Sequence, residues 1–570
     1  MMLNHFSEEL RNQYSTTPTG STSMQKKCQE AIKKYKQWLT FPDLDNDLRI
    51  ELENMQDNYD QILESFGSNI EFGTAGLRGI IGAGTNRMNK YTVRAATQGV
   101  SEYIVEQGLQ DKGVVAIYDS RRMSKEFAEE AALVFAANGI KVNIYDSLRP
   151  SPQLTYSITE LGCAGGINIT ASHNPKEYNG FKLYWKDGAG INAPHDENIM
   201  VKVNEILADY SRIKTIEKEA AIQEGLYNVL NQNIDDKYID TTASYQLNPT
   251  ITKEQVENGL KVVYTPLHGS GNIPVQRILS KLGLKKDENF FVVSEQEMPD
   301  SSFPTVHSPN PEDNAAMKIA IKLAEEVNAD VILATDPDAD RLGVQVKDNA
   351  GNFHNLDGDL IGCLMAEYII SQKDEREELP ENGYILTTIL SSELIDKIAE
   401  QYKLEVKRKL TGFKYIGEEK VKNQEDFVFA FETSLGSLFM KELQCKDGIG
   451  AAMMITEIAA FYKSQNKTIW EHIENMYDKY GYYKNKISDI YFEGLSGKQE
   501  MSDIMQTLRE SSLETIGDNK IIVAKDYQND ICVDRITNET YPTGLPQSNV
   551  LYYELEDGSW ACIRPSRNRT

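Results

Sequence analysis

Two short stretches of this chain could do chemistry together. Thr170-Ala171-Ser172-His173-Asn174-Pro175 sets a serine in a tight polar turn, and Asp336-Pro337-Asp338-Ala339-Asp340-Arg341 sets three carboxylates at alternate positions, closed by an arginine. A serine that carries a phosphoryl group needs a divalent cation to neutralise it, and a carboxylate trio supplies one. The pair reads as phosphoryl transfer through a phosphoserine, assisted by Mg²⁺. Taken singly, each stretch has an ordinary reading: the serine as a turn residue, the acidic run as a solvated loop or an EF-hand. An EF-hand requires Gly at its sixth position and Glu at its twelfth. Counted from Asp336 those positions hold Arg341 and Lys347, which excludes it. A short loop with few ligands suits Mg²⁺, which keeps waters and accepts phosphate oxygens.

These loops need a scaffold, and the pattern around them supplies an α/β one. Val114-Val115-Ala116-Ile117-Tyr118 reads as a buried strand ending at Asp119-Ser120-Arg121, followed by a helix over 125–137 and a strand over 141–145. The rhythm repeats with strands at 261–264, 290–293 and 330–334 and helices at 275–282 and 312–326. The strand at 330–334 delivers the acidic loop at its carboxyl end, where open α/β sheets place ligands. A third cycle holds strands at 384–388 and 427–431 around a helix at 392–402, and ends in Glu432-Thr433-Ser434-Leu435-Gly436. The tail differs: a helical start, then strands such as 520–524 and 550–554. The expected units are residues 1–205 with the serine loop, 206–345 with the metal loop, 346–465 with a third loop, and 466–570. Residues 209–253 carry no strong strand signal and read as a helical entry to the second unit.

Composition sets the outer limits. A chain of 570 residues suffices for several domains. Net charge is −26, which argues against a nucleic-acid or anionic-membrane partner. A phosphorylated substrate then requires a local group of Arg and Lys set against the global field. The six cysteines are scattered without a C-x-x-C pair and read as reduced residues of a cytoplasmic protein. Residues 1–22 are polar and lack the apolar core of a secretory signal. The longest apolar run, Gly448 to Phe461, is broken by Glu457 and falls short of a membrane span. The histidines form no zinc-binding spacing, and a phosphate-binding G-x-x-x-x-G-K-[ST] loop is missing.

Further segments follow in order: Phe72-Gly73-Thr74-Ala75-Gly76-Leu77-Arg78-Gly79, Thr265–Gly271, Phe303-Pro304-Thr305, Pro309-Asn310-Pro311-Glu312, Thr411-Gly412-Phe413-Lys414 and Arg564-Pro565-Ser566. Any one is a weak signal. Together with the serine, acidic and Glu432 loops, in this order along nearly the whole chain, they resemble the α-D-phosphohexomutases, the family of phosphoglucomutase and phosphomannomutase. Asn86-Arg87-Met88-Asn89 and Thr543-Gly544-Leu545-Pro546 resemble most the subgroup of bacterial phosphoglucomutases and animal phosphopentomutases.

The resemblance implies an α/β protein: three similar domains with mixed sheets plus a smaller α+β C-terminal domain, around a central cleft to which each lends a loop. It implies that Ser172 is the phosphoserine, and that Asp336, Asp338 and Asp340 hold Mg²⁺ with an oxygen of the Ser172 phosphate. Arg78 and Arg341 would neutralise the moving phosphoryl group. Glu432 and Ser434 would hydrogen-bond sugar hydroxyls, Thr411 and Gly412 would seat the sugar, and Lys446 would do acid–base work. His173 and Lys182 would line the pocket, and Arg564 and Ser566 would belong to a phosphate-binding loop. The implied reaction interconverts glucose 1-phosphate and glucose 6-phosphate through glucose 1,6-bisphosphate, with mannose or pentose phosphates as alternatives. The implied partner is a small sugar phosphate; monomer and dimer both stay open. Without the resemblance, several of these residues have plainer readings. Lys446 is a solvated lysine at a helix start, Lys182 an outward-facing strand lysine, Arg78 a surface residue, and Glu432 with Ser434 a capped turn.

The chain departs from the family pattern twice. Thr433 stands where the family usually has a second glutamate, with a modest effect expected on specificity. After Arg564-Pro565-Ser566 the family continues Gly-Thr-Glu-Pro-Lys, whereas this chain reads Arg567-Asn568-Arg569-Thr570. Codons for Gly-Thr-Glu-Pro shifted by one nucleotide translate as Arg-Asn-Arg-Thr, so a single-base frameshift, in the gene or its sequencing, is expected there. The first three domains would then fold, the last would be truncated with an exposed sheet edge. Activity would be low or absent, leaving a sugar-phosphate binding protein as the reading from another class.

Overall fold

The computed structural model describes residues 20–41, 44–73, 76–488, 490, 492, 494–511 and 513–565. Ser566 and the four residues after it lie outside the described residues. So do Thr74 and Ala75 of the glycine-rich segment.

Four sheets organise the chain. The first has seven strands in the order Phe72–Gly73, Gly76–Ile80, Tyr178–Trp185, Gly165–Ile169, Val114–Tyr118, Val142–Tyr145, Tyr227–Leu230. Its central strand Val114–Tyr118 is wholly buried and runs parallel to both neighbours. That position is why its sequence is continuously apolar rather than alternating. Tyr178–Trp185 runs antiparallel beside Gly165–Ile169 and brings Lys182 next to Asn168. The second sheet orders Phe353–Asn355, Leu342–Lys347, Val331–Thr335, Val262–Thr265 and Phe290–Val292. The third orders Glu405–Lys409, Tyr384–Thr388, Phe427–Glu432 and Gly436–Leu438. All three sheets mix parallel and antiparallel pairs.

The fourth sheet is antiparallel throughout: Glu539–Tyr541, Ile531–Asp534, Asn519–Asp526, Leu551–Leu555 and Trp560–Ile563, with Thr515–Ile516 paired to Asn519–Asp526. The helix Gly494–Glu510 precedes it. The fold is therefore three α/β units with mixed sheets and a smaller α+β unit. Among the described residues Trp560–Ile563 pairs on one side only and forms an edge.

The long apolar run is a core element. It forms the helix Gly448–Ser464, buried along almost its whole length and packed against the second and third units. Glu457 within it is fully buried because it has partners: the Leu247 amide and the Tyr368 hydroxyl both donate to it at 2.9 Å. Among the described residues no helix is long and apolar enough to cross a membrane.

The sheets do not end at the expected unit limits. Residue 206 falls inside the helix His195–Ala208, and the segment at 209–253, which carries no strong strand signal and reads as a helical entry, supplies Tyr227–Leu230 to the first sheet beside Val142–Tyr145. Residue 346 falls inside the strand Leu342–Lys347, whose sheet continues to Asn355. After residue 466 the helix Ile469–Tyr480, its own start closed by a Thr468–Glu471 capping box, packs back on Gly448–Ser464. The strand at 227–230 escapes detection because it is short and carries polar Asn228, whose side-chain amide donates to Asn143 at 2.8 Å. Pairing, not local propensity, makes it a strand.

Candidate active site

The serine loop leaves the carboxyl end of Gly165–Ile169 and is fully buried at Ser172. The Ser172 amide donates to Thr170 Oγ1 at 2.8 Å. Thr170 in turn donates to Asp119 Oδ2 at 2.6 Å. Asp119 and Arg121, at the end of Val114–Tyr118, form a buried pair, Nε to Oδ2 3.4 Å. The Arg121 guanidinium then donates to four carbonyls of the serine loop: Pro175 at 2.9 Å, Tyr178 at 3.1 Å, and Ser172 and Asn174 by short bonds. Arg121 also lies over the Phe303 ring, which ties in the Phe303-Pro304-Thr305 segment. The loop is thus set by one arginine from a neighbouring strand.

The acidic loop leaves the carboxyl end of Val331–Thr335. Thr265–Gly271 clasps it: Ser270 donates to Pro337 O through its amide at 2.8 Å and its hydroxyl at 2.7 Å. A Cβ on Gly269 would stand 2.5 Å from Pro337 Cα, so the two loops touch backbone to backbone. On the other side Gly448 donates to Ala339 O at 3.1 Å, and a Cβ there would meet both Ala339 O and Arg341 O at 2.7 Å. Ser172, Ala339 and Leu435 each hold a positive φ, at 53°, 50° and 61°. A strained non-glycine residue sits in the serine loop, the acidic loop and the Glu432 loop alike, as at sites held by their surroundings.

The loops meet. The Ser172 hydroxyl donates to Asp336 Oδ2 at 2.6 Å, and Ser172 Oγ lies 3.3 Å from His173 Nδ1. Asp336, Asp338 and Asp340 are buried, with one oxygen of each within 4.8 Å of the others. Burial first, then Asp338 and Asp340, push the Asp336 carboxyl well above the usual range. Burial also works against Asp338, but Lys182 outweighs it and holds that carboxylate below the usual range. Lys182 Nζ donates to Asp338 Oδ2 and, at 3.1 Å, to Asp340 Oδ2. Although burial opposes its charge, these two aspartates raise the Lys182 ammonium above its ordinary value.

Two acceptors, Asp338 Oδ1 and Asp340 Oδ1, are buried without a hydrogen-bond partner. Hard carboxylate oxygens without hydrogen-bond donors, in a buried trio, fit a divalent cation of the Mg²⁺ kind.

Above this centre opens a cleft of about 1110 Å³. Arg78, His173, Lys182, Asp340, Arg341, Thr411, Gly412, Glu432, Ser434, Lys446 and Arg564 all line it, whereas Ser172, Asp336 and Asp338 lie one layer deeper. Arg78 Nη1 donates to Asn174 Oδ1 at 3.0 Å, and burial, then Arg341, lower its guanidinium to about 10. Arg341 reaches Asp340 Oδ1 at 3.9 Å and Asp336 Oδ2 at 4.0 Å. Glu432 Oε1 accepts from Ser434 at 2.6 Å and from Lys446 Nζ at 3.1 Å. Burial pushes the Glu432 carboxyl up, but Lys446 and Ser434 outweigh it and hold it below the usual range. Lys446 also lies 3.6 Å from Asp340 Oδ2 and so joins the third unit to the acidic loop. Thr411 and Gly412 precede the helix Phe413–Lys422, with the Thr411 hydroxyl buried and unpaired toward the cleft. Neither Lys446 nor Lys182 is the solvated residue that its local sequence suggests: Lys182 is buried, Lys446 is partly buried, and both are ion-paired. Of the candidate site residues, Ser566 lies outside the described residues.

Sequence reasoning passed over Asp119, Arg121, Ser151 and Asn168. A polar Asp-Ser-Arg at the end of an apolar strand was the one signal for the first two.

Fold and site together define a multidomain α/β protein in which a serine loop and an acidic loop from separate sheets meet under a cleft lined by cations. Residues 69–209, 236–351 and 357–480 match the α/β/α domains I, II and III of phosphoglucomutase/phosphomannomutase, so the chain belongs to the phosphoglucomutase/phosphomannomutase family. It is 31% identical over 505 residues to a phosphoglucomutase of Staphylococcus haemolyticus, covering 88% of this chain and 89% of that one. To the phosphoglucomutase of Staphylococcus saprophyticus it is 33% identical over 504 residues, covering 87% and 88%. Among solved structures, the exocytosis-sensitive phosphoprotein parafusin of Paramecium, a phosphoglucomutase in its open form, shares the fold. Its TM-score is 0.61 at 19% identity, over 87% of this chain and 88% of that one. Family and fold support an isomerase reaction of the phosphohexomutase type.

Proposed function

We propose that this chain interconverts glucose 1-phosphate and glucose 6-phosphate through a phosphorylated Ser172 and a glucose 1,6-bisphosphate intermediate. The observation that carries this reading is the 2.6 Å bond from Ser172 Oγ to Asp336, at the floor of a cleft lined by Arg78, Lys182, Arg341 and Lys446. Asp336, Asp338 and Asp340 would hold Mg²⁺, which when bound would neutralise charge on the serine phosphate.

A phosphoryl group in flight has a loose transition state, so positioning and charge stabilisation do most of the work. Arg78 and Arg341 line the cleft from two different units and would balance the equatorial oxygens. A sugar hydroxyl attacks phosphorus, the bond from phosphorus to Ser172 Oγ breaks, and the hydroxyl proton leaves to the Lys446–Glu432 pair. The bisphosphate turns over, Ser172 Oγ attacks its other phosphorus, and the bond from that phosphorus to the sugar oxygen breaks as this oxygen takes the proton back from the pair. Glu432, held ionised, and Ser434 would orient the sugar through its hydroxyls. The burial of Ser172 keeps water from its phosphate between turnovers.

The curated relatives named phosphoglucomutase favour glucose. The reading is tested with a coupled assay on glucose 1-phosphate and a trace of glucose 1,6-bisphosphate, with mannose and ribose 1-phosphates beside it. Glucose is expected to give the highest kcat/KM; a higher value for either other sugar would reassign the substrate. A cytoplasmic site of action accords with the free cysteines at 28, 163, 363, 445, 532 and 562.

A further inference from the structure

The carboxylate that Lys182 grips is held from a second direction by residues outside the motifs. The helix Ser151–Glu160 of the first unit begins against the acidic loop of the second. The Ser151 amide donates to Asp338 O at 2.8 Å, and the Ser151 hydroxyl donates to Asp338 Oδ2 at 2.6 Å. One residue thus holds both the backbone and the side chain of Asp338. Behind it, Asn168 Nδ2 donates to Ser151 Oγ at 2.9 Å. Ser151, Asn168 and Asp338 are all fully buried.

The direction of this chain of bonds is fixed by its end. An ionised carboxylate only accepts, so the single Ser151 proton must point at Asp338. The Ser151 oxygen is then free only as an acceptor, and Asn168 must present its amide nitrogen. With Ser151 and Lys182 both on Oδ2, that oxygen is fully used. Asp338 Oδ1 is left buried and without a hydrogen-bond donor, within the trio of Asp336, Asp338 and Asp340.

We propose that Ser151 and Asn168 form a positioning relay that fixes which oxygen Asp338 offers to the cation, so that ion affinity depends on the first unit as well as on the acidic loop. The inference rests on the proposed metal role of the aspartate trio. Outer-shell partners of metal ligands typically contribute about 10- to 100-fold in affinity. Neutral Ser151 and Asn168 add no charge, so their effect is one of orientation alone.

The test is Mn²⁺ binding to the full chain, read by calorimetry and by electron paramagnetic resonance, without substrate. Ser151→Ala and Asn168→Ala are expected to weaken Mn²⁺ by about 10-fold or more, and Ser151→Thr, which keeps the hydroxyl, to restore it. Ser157→Ala, on the same helix but bonded to Tyr145 and Gln153 instead, controls for loosening of the helix and is expected to leave affinity unchanged. Binding within twofold of the parent in both Ser151→Ala and Asn168→Ala would overturn the relay while leaving the metal role intact. An equal loss in Ser157→Ala would overturn it too. A parent chain whose Mn²⁺ binding is unaffected by Asp338→Asn would overturn the metal role, and the relay with it.

Discussion

Ser172 Oγ and Asp336 Oδ2 lie 2.6 Å apart although 164 residues separate them in the chain. No local interaction brings them together. The contact exists because strands of two mixed sheets end at one crevice, each delivering a loop from its carboxyl end. Everything proposed about phosphoryl transfer follows from that convergence.

Lys182 stands between Asp338 and Asp340 and pairs with both. Lys182→Met leaves three buried carboxylates together, and breaking such a pair costs on the order of 3–5 kcal/mol. The melting temperature without metal is expected to fall by several degrees, and Mg²⁺ is expected to raise it more in the variant than in the parent. Scanning fluorimetry with and without Mg²⁺ checks this; equal Mg²⁺ shifts in both chains would count against it.

Lys446 and Glu432 share a bond of 3.1 Å beside Asp340. If the pair moves the hydroxyl proton, Lys446→Met should lower kcat by about 10²- to 10⁴-fold. Ser172 should still accept phosphate slowly from glucose 1,6-bisphosphate. Steady-state kinetics on glucose 1-phosphate give the answer, and a kcat within threefold of the parent would remove Lys446 from the chemistry.

Arg121 satisfies four carbonyls of the serine loop at once. Lysine cannot present that fork. Arg121→Lys should speed amide hydrogen exchange across residues 172–178 and lower kcat without weakening Mn²⁺ binding to the same degree. Unchanged exchange in that segment would show that the loop holds itself.

These residues show what the sequence could and could not reveal. The serine, the acidic trio and the continuous strand Val114–Tyr118 are local signals, and each is where its pattern places it. Arg121 and Ser151 act across gaps of 51 and 187 residues, so nothing near them in the chain announces their partners. Lys446 and Lys182 look solvated in isolation because they pair with carboxylates that belong to another unit. The apolar run from Gly448 to Phe461 is legible as too interrupted for a membrane span. Its role as the buried helix against which the acidic loop rests needed the third dimension.

Asp359, outside the site, gives a pH prediction. It is buried, with Oδ1 unpaired, and burial first, then Asp357, raise its carboxyl to about 7. Between its ordinary value near 4 and about 7 the native state binds more protons than the unfolded one, so this group's contribution to stability falls as pH rises through that window. Asp359→Asn removes the effect. Relative to the parent, the variant is expected to gain on the order of 3 kcal/mol between pH 5 and pH 8. Urea unfolding at the two pH values measures the gain; parallel pH profiles would contradict it.

The most direct test is to follow phosphorus. Incubated with Mg²⁺ and glucose 1,6-bisphosphate carrying ³²P, the full chain is expected to take up one phosphoryl group. Peptide mapping should place it on Ser172, glucose 6-phosphate should chase it off, and Ser172→Ala should take up none. Turnover of glucose 1-phosphate by the Ser172→Ala chain, or label on another residue with Ser172 unmodified, would contradict the account.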